Sequence, residues 1–89
     1  MIPKPYQEVT TEGRRIRRFL ADTQDTELIW HFDEDDRKIK ILQAGNWLFQ
    51  RDNELPILLQ NNMELFIKKM EWHRILAGDQ ELIIEIETL

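Results

Sequence analysis

Met63-Glu64-Leu65-Phe66-Ile67-Lys68-Lys69-Met70-Glu71-Trp72-His73-Arg74-Ile75-Leu76-Ala77 is the stretch that decides the fold of this 89-residue chain. Leu59, Met63, Phe66, Ile67, Met70, Arg74 and Ala77 fall at near-helical spacing, with Asn62 as a candidate N-cap and Gly78 as a candidate C′ residue. Met, Glu, Leu and Lys also favour helix locally. On that reading a helix packs on a sheet in an α+β fold. Leu65, Phe66 and Ile67 include types that favour strands, and a polar turn at 68–71 divides the stretch into two short extended segments. Periodicity leaves the two readings level.

Outward from this stretch, short apolar segments recur at 14–21, 27–32, 37–43, 47–51, 55–60 and 81–89, each bounded by a polar turn. Strands spaced in this way suggest a sandwich or barrel. Leu82, Ile84 and Ile86 alternate with Glu81, Glu85 and Glu87, with Ile83 as the exception, and Ile39 and Ile41 alternate with Lys38 and Lys40. A period of two means one face buried and one wet. Trp47 and Phe49 alternate with Leu48 and Gln50 in the same way, so one face of that strand belongs to the core. Residues 1–13 carry two of the three prolines and read as an extended N-terminal arm, which leaves 14–89 as a single domain.

Composition removes several chemistries. The chain has no Cys and no Ser, so disulfides, thiolate metal sites, Cys nucleophiles and serine-hydrolase triads are excluded. Three glycines leave no Gly-rich phosphate loop. A net charge of −5 argues against general nucleic-acid binding. No apolar run approaches the ~18 residues of a membrane span, and Met1-Ile2-Pro3-Lys4-Pro5-Tyr6 lacks the apolar region of a signal peptide. The expected location is the cytoplasm.

The placement of the two histidines resembles the cupin superfamily. Its second motif reads Gly, five residues, Pro-x-Gly, two residues, His, three residues, Asn. It maps here without gaps onto Asn62, Lys68-Lys69-Met70, His73 and Ala77. In its first motif, Gly, five residues, His-x-His, three or four residues, Glu, six residues, Gly, the first His is His31, the second is Asp33 and the Glu is Arg37. Gly45 sits one residue beyond the final Gly. The glycines and proline of the second motif are replaced. The resemblance covers about residues 27–87 and implies an all-β, double-stranded β-helix (jelly-roll) barrel of about eight short strands. It also implies that 63–77 is two strands joined by a tight turn, and that the protein is a homodimer.

Residues i and i+2 of a strand share a face. If Ile29, Ile39, Ile41 and Ile75 look inward, then His31, Asp33, Arg37 and His73 converge with them. Two imidazoles and a carboxylate are the ligand set of the facial triad of non-haem iron sites. The first reading is therefore a divalent metal (Fe, Mn, Ni or Zn) on His31, Asp33 and His73, with Arg37 as ligand anchor and oxygenase, isomerase or lyase chemistry at the site. Arg37 stands where metal-binding cupins place Glu, and a guanidinium cannot ligate. A second reading is thus a metal-free pocket for an anion or another small ligand. A third is a non-catalytic interaction or assembly module, in which Arg37 pairs with Asp33 and the outer face holds a protein partner. A free, inward Arg37 favours anion binding; an Arg37 locked to Asp33 favours a structural role. Trp30 and Trp72 precede the histidines and point to the opposite face, where they suit outer packing or a dimer contact.

Two charged runs have plainer readings. Arg14-Arg15-Ile16-Arg17-Arg18 lacks interleaved aromatics and reads as a solvated strand whose arginines meet acidic turns rather than phosphates. Asp33-Glu34-Asp35-Asp36 lacks the Gly and terminal Glu of an EF-hand loop and reads as a solvated turn.

Overall fold

The computed structural model describes residues 5–24 and 28–89. They form eight strands, β1 (Tyr6–Thr11), β2 (Arg14–Phe19), β3 (Arg37–Gln43), β4 (Leu48–Arg51), β5 (Ile57–Leu58), β6 (Glu64–Ile67), β7 (His73–Leu76) and β8 (Leu82–Thr88). There is no helix among the described residues, hence none long and apolar enough to cross a membrane. Five strands pair in the order β1-β2-β8-β3-β6 and three in the order β5-β4-β7. Every pairing is antiparallel.

The deciding stretch is two strands. Residues of β6 pair with β3 in one sheet, and residues of β7 pair with β4 in the other. The local preference for helix loses because each half finds a partner strand, and packing context overrides propensity. The turn between them is a corner from sheet to sheet rather than a hairpin. Met70 takes φ +65° there, and its N–H donates to the Asp33 carbonyl at 2.7 Å. The N–H of Lys69 donates to Asp36 Oδ1 at 2.8 Å. The acidic run is thus more than a solvated turn: two of its members cap this corner.

The N-terminal arm is extended but not separate. Its residues 6–11 are β1, the edge strand of the larger sheet, and residues 1–4 lie outside the described part. Glu12 and Gly13 form the two-residue loop of the β1–β2 hairpin, both at positive φ (49° and 78°), as a type I′ turn requires. The strand expected at 27–32 is corrected. Residue 27 is outside the described part, and 28–32 make a single bridge, His31 to His73, in place of a ladder.

Alternation builds the core. Ile39, Ile41, Leu65, Ile67, Leu82 and Ile86 are the buried face of the larger sheet, and Trp47, Phe49 and Leu59 meet them from the side of the smaller. Trp47 is wholly buried and donates its indole N–H to the Gln80 carbonyl at 2.6 Å. The outside of the larger sheet is a charge ladder, with Lys38 on Glu64, Arg14 on Glu85 and Arg18 on Glu81. Exposed pairs of this kind add little stability; they keep that face wet. The outside of the smaller sheet differs. Leu58, Leu48 and Leu76 are opposite one another across its three strands.

Candidate metal centre

Backbone pairing brings the two histidines together. His31 N–H donates to the His73 carbonyl at 3.0 Å, and His73 N–H returns the bond at 2.9 Å. Directly opposed residues of an antiparallel pair project to the same face. The rings accordingly meet edge to face, with centroids 4.3 Å apart. Asp33, two residues beyond His31 in extended chain, comes to the same place.

One donor atom from each of His31, Asp33 and His73 lies within 4.8 Å of the others. His73 Nε2 is 3.4 Å from Asp33 Oδ2. The other nitrogen of His73, Nδ1, lies 2.8 Å from the Glu71 carbonyl, and Nδ1 of His31 lies 3.1 Å from the Ile29 carbonyl. A carbonyl only accepts, so both Nδ1 atoms carry the proton. Wherever a ring is neutral, its Nε2 lone pair is then free. Burial holds the His73 imidazole below its ordinary pKa, with the nearby His31 acting in the same sense, so the ring is neutral near neutral pH. His73 and Asp33 are both well buried, at 6% and 12% side-chain exposure, whereas His31 is on the exposed side of the group.

Donor atoms at ~2.1 Å from one ion stand ~3.0–3.4 Å apart when they share a face or a tetrahedron. The widest separation here, up to 4.8 Å, must therefore close by more than an ångström on loading. The donor set fits a divalent transition ion: two neutral imidazoles and a carboxylate, with each imidazole oriented by a backbone acceptor.

Arg37 is also brought to this place. Its Nη1 is 3.2 Å from Asp33 Oδ1, and its Nε is 2.7 Å from Asp35 Oδ1. It is locked to carboxylates and holds Asp33 by the oxygen that does not face His73. Of the four isoleucines expected inside, Ile39 and Ile41 are buried and Ile75 packs against the core. Ile29 is corrected to 68% exposed: a single bridge at His31 does not hold the preceding residues to the sheet. Trp30 and Trp72 do point outward. Trp72 stacks edge to face on Phe32, and the Arg74 guanidinium covers Trp30.

The basic run divides by face, which the sequence reading did not use. Arg14 and Arg18 pair outside with Glu85 and Glu81. Arg15 and Arg17 share the face of buried Phe19 and line a cleft of about 390 Å³ with His31, Asp33 and Arg37. The signal was present: in this strand the apolar residue of the inner set is Phe19, two and four places from the arginines.

No protein-family model matches the sequence, and no curated protein does. Solved structures match by fold. A cupin domain from Bordetella pertussis superposes with a TM-score of 0.62 at 17% identity, over 100% of this chain and 98% of that one. A cupin-2 domain protein from Shewanella frigidimarina gives 0.63 at 16% identity, over 94% and 79%. Fe(II) HppE gives 0.69 at 13% identity over 94% of this chain, which spans 48% of that longer protein. The chain has the cupin fold.

Proposed function

We propose that this cupin-fold chain holds one divalent transition metal on His31, Asp33 and His73 and binds a small ligand in the cleft beside it. The observation that carries the reading is the orientation of the imidazoles. Both Nδ1–H groups are taken by backbone carbonyls, which leaves each Nε2 lone pair unprotonated, with His73 Nε2 beside Asp33 Oδ2 and His31 within reach of both. Three acceptors without a donor between them are the arrangement a cation satisfies. Arg37 positions Asp33 through Oδ1 and leaves Oδ2 for the ion. That one of the fold neighbours is described with Fe(II) suits iron, and the same donors suit Mn, Ni and Zn. Bound there, the ion supplies Lewis-acid activation of a ligand or water.

The test is elemental mass spectrometry on untagged protein purified without chelator and re-exposed to Fe(II), Mn(II), Ni(II) or Zn(II). We expect about one ion per chain, lost in His31→Ala and His73→Ala. No ion at micromolar supply overturns the reading.

The lock between Arg37 and Asp33 favours a second reading, a metal-free assembly module. Its contact surface is the Leu58–Leu48–Leu76 row with Trp30 and Trp72, and its simplest partner is a second copy of the chain. Sedimentation of Trp72→Asp beside the parent protein tests it: a dimer that becomes a monomer supports it, and a monomeric parent protein sinks the self-association.

A further inference from the structure

We infer that the ligand of this cleft is a small monocarboxylate with a compact apolar body, and that Arg15 takes its carboxylate. The inference rests on the proposed site only for what lies at the ligand's other end.

Alternation along β2 puts Arg15, Arg17 and Phe19 on the inner face, with Arg15 opposite Ile86 and Arg17 opposite Ile84 on β8. Cations seldom face a core, because an unpaired buried charge is costly. Arg17 meets that cost locally. Its Nε and Nη2 reach Glu8 at 2.8 Å, and its guanidinium carbon lies over Tyr6, 3.8 Å from the ring centre. Arg37 is neutralised by Asp33 and Asp35.

Arg15 differs from both. Its Nη2 donates to the Thr88 hydroxyl at 3.2 Å, and no carboxylate of the described residues lies within 4.0 Å of it. Among the described residues the cleft wall therefore holds one guanidinium whose partner is neutral. A single uncompensated positive charge beside a hydroxyl matches a single negative charge. A carboxylate meets it with a charge-assisted pair of hydrogen bonds, whereas a phosphate monoester brings more charge than Arg15 answers.

The rest of the cleft sets the body of the ligand. Phe19 and Ile75 line it and also line an adjoining cavity of about 70 Å³, whose wall is mostly apolar (Phe49, Ile84 and Ile86 among others) apart from the polar groups of the candidate site and Arg17. Away from those groups a polar chain would lose its hydration without gaining partners. A branched or aromatic hydrocarbon body fills the space and lies beside His31 and Asp33, which border the same cleft. A divalent ion on the triad adds two positive charges, so ion and carboxylate strengthen each other's binding reciprocally.

The experiment is calorimetric titration of propanoate, 3-methylbutanoate and benzoate, each against its amide, into metal-free and Zn(II)-loaded protein at low ionic strength. We expect at least one carboxylate to bind about tenfold tighter than its amide in both forms, with a larger ratio when zinc is present. Arg15→Gln is expected to remove the preference with zinc stoichiometry unchanged. Arg15→Lys, which keeps the charge without the planar fork, is expected to keep part of it. Equal binding of acid and amide, no binding of any probe, or a preference that survives Arg15→Gln overturns the inference. Failure to take up zinc sinks the metal reading alone, and the metal-free titration then decides this one.

Discussion

His73 Nε2 and Asp33 Oδ2 face each other at 3.4 Å, and the only ring proton of neutral His73 is at the far nitrogen, on the Glu71 carbonyl. Two acceptors in contact repel until a proton or a cation comes between them. Asp33→Asn separates these possibilities. Its amide oxygen can keep the Arg37 contact while its NH₂ donates to Nε2. A gained hydrogen bond of ~0.5–1.5 kcal/mol roughly offsets the weakened ion pair. The metal-free variant should melt within a few degrees of the parent, yet show no rise in Tm with Zn(II) or Ni(II). A metal-dependent rise equal to the parent's would remove Asp33 from the donor set.

The neutral state of His73 gives a pH dependence of known sign. Burial lowers its pKa in the folded chain relative to the ordinary 6.5. Between the two values the unfolded chain binds the extra proton, so its contribution to stability is complete above about pH 6.5 and is lost as pH falls toward the folded value. Metal uptake weakens over the same range, since the ligand must be deprotonated. Denaturant midpoints across this window should fall with pH in the parent and fall less in His73→Gln. Parallel slopes in the two proteins would count against a buried neutral imidazole.

Met70 occupies the place of a motif glycine and keeps that residue's backbone, at φ +65°. A left-handed conformation costs a non-glycine residue roughly 1–2 kcal/mol, and the Met70 side chain, 56% exposed, offsets little of it by packing. Met70→Gly should therefore stabilise the metal-free protein by up to ~1 kcal/mol after the added unfolded-state entropy of glycine. Thermal denaturation checks it, and a lowered Tm would show that the methionine packs at this corner after all.

Gly78 is needed for a close approach rather than for an unusual φ. A Cβ there would overlap the Gly45 carbonyl oxygen and the Asn46 backbone. Neither neighbour is a flexible side-chain end. Gly78→Ala should cost ~1–3 kcal/mol, in the range of overpacked cores, measured by chemical denaturation. A cost within ~0.5 kcal/mol would mean that the turn at residues 45–46 shifts freely.

These particulars also mark what the sequence could tell. Alternation at Ile39, Ile41, Leu82 and Ile86 was legible because each faces one core and one solvent side. The histidine spacing was legible because both residues sit at fixed offsets from turns that survive substitution: Asn62 and Met70 replace glycines yet keep positive φ. Residues 63–77 were ambiguous because a corner between sheets is decided by partner strands distant in the chain. Strand β1 was hidden because Tyr6–Thr11 has scant apolar content and is held by its hairpin with β2. Ile29 misled because period two holds only where a ladder continues. The neutral partner of Arg15 depends on the register of β2 against β8, which no local pattern encodes.

That register has a kinetic side. The larger sheet is ordered β1-β2-β8-β3-β6, so the strand made after all the others is wedged between early ones, with Arg15 opposite Ile86. Closing so long a loop must precede most of the reward, and folds dominated by such distant pairings form slowly. During synthesis β2 and β3 wait, each with an open edge, until residues 82–88 leave the ribosome. The charge ladder on their outer side then has a second value: the arginines of β2 and the lysines of β3 discourage neighbouring nascent chains from pairing with the waiting strands first.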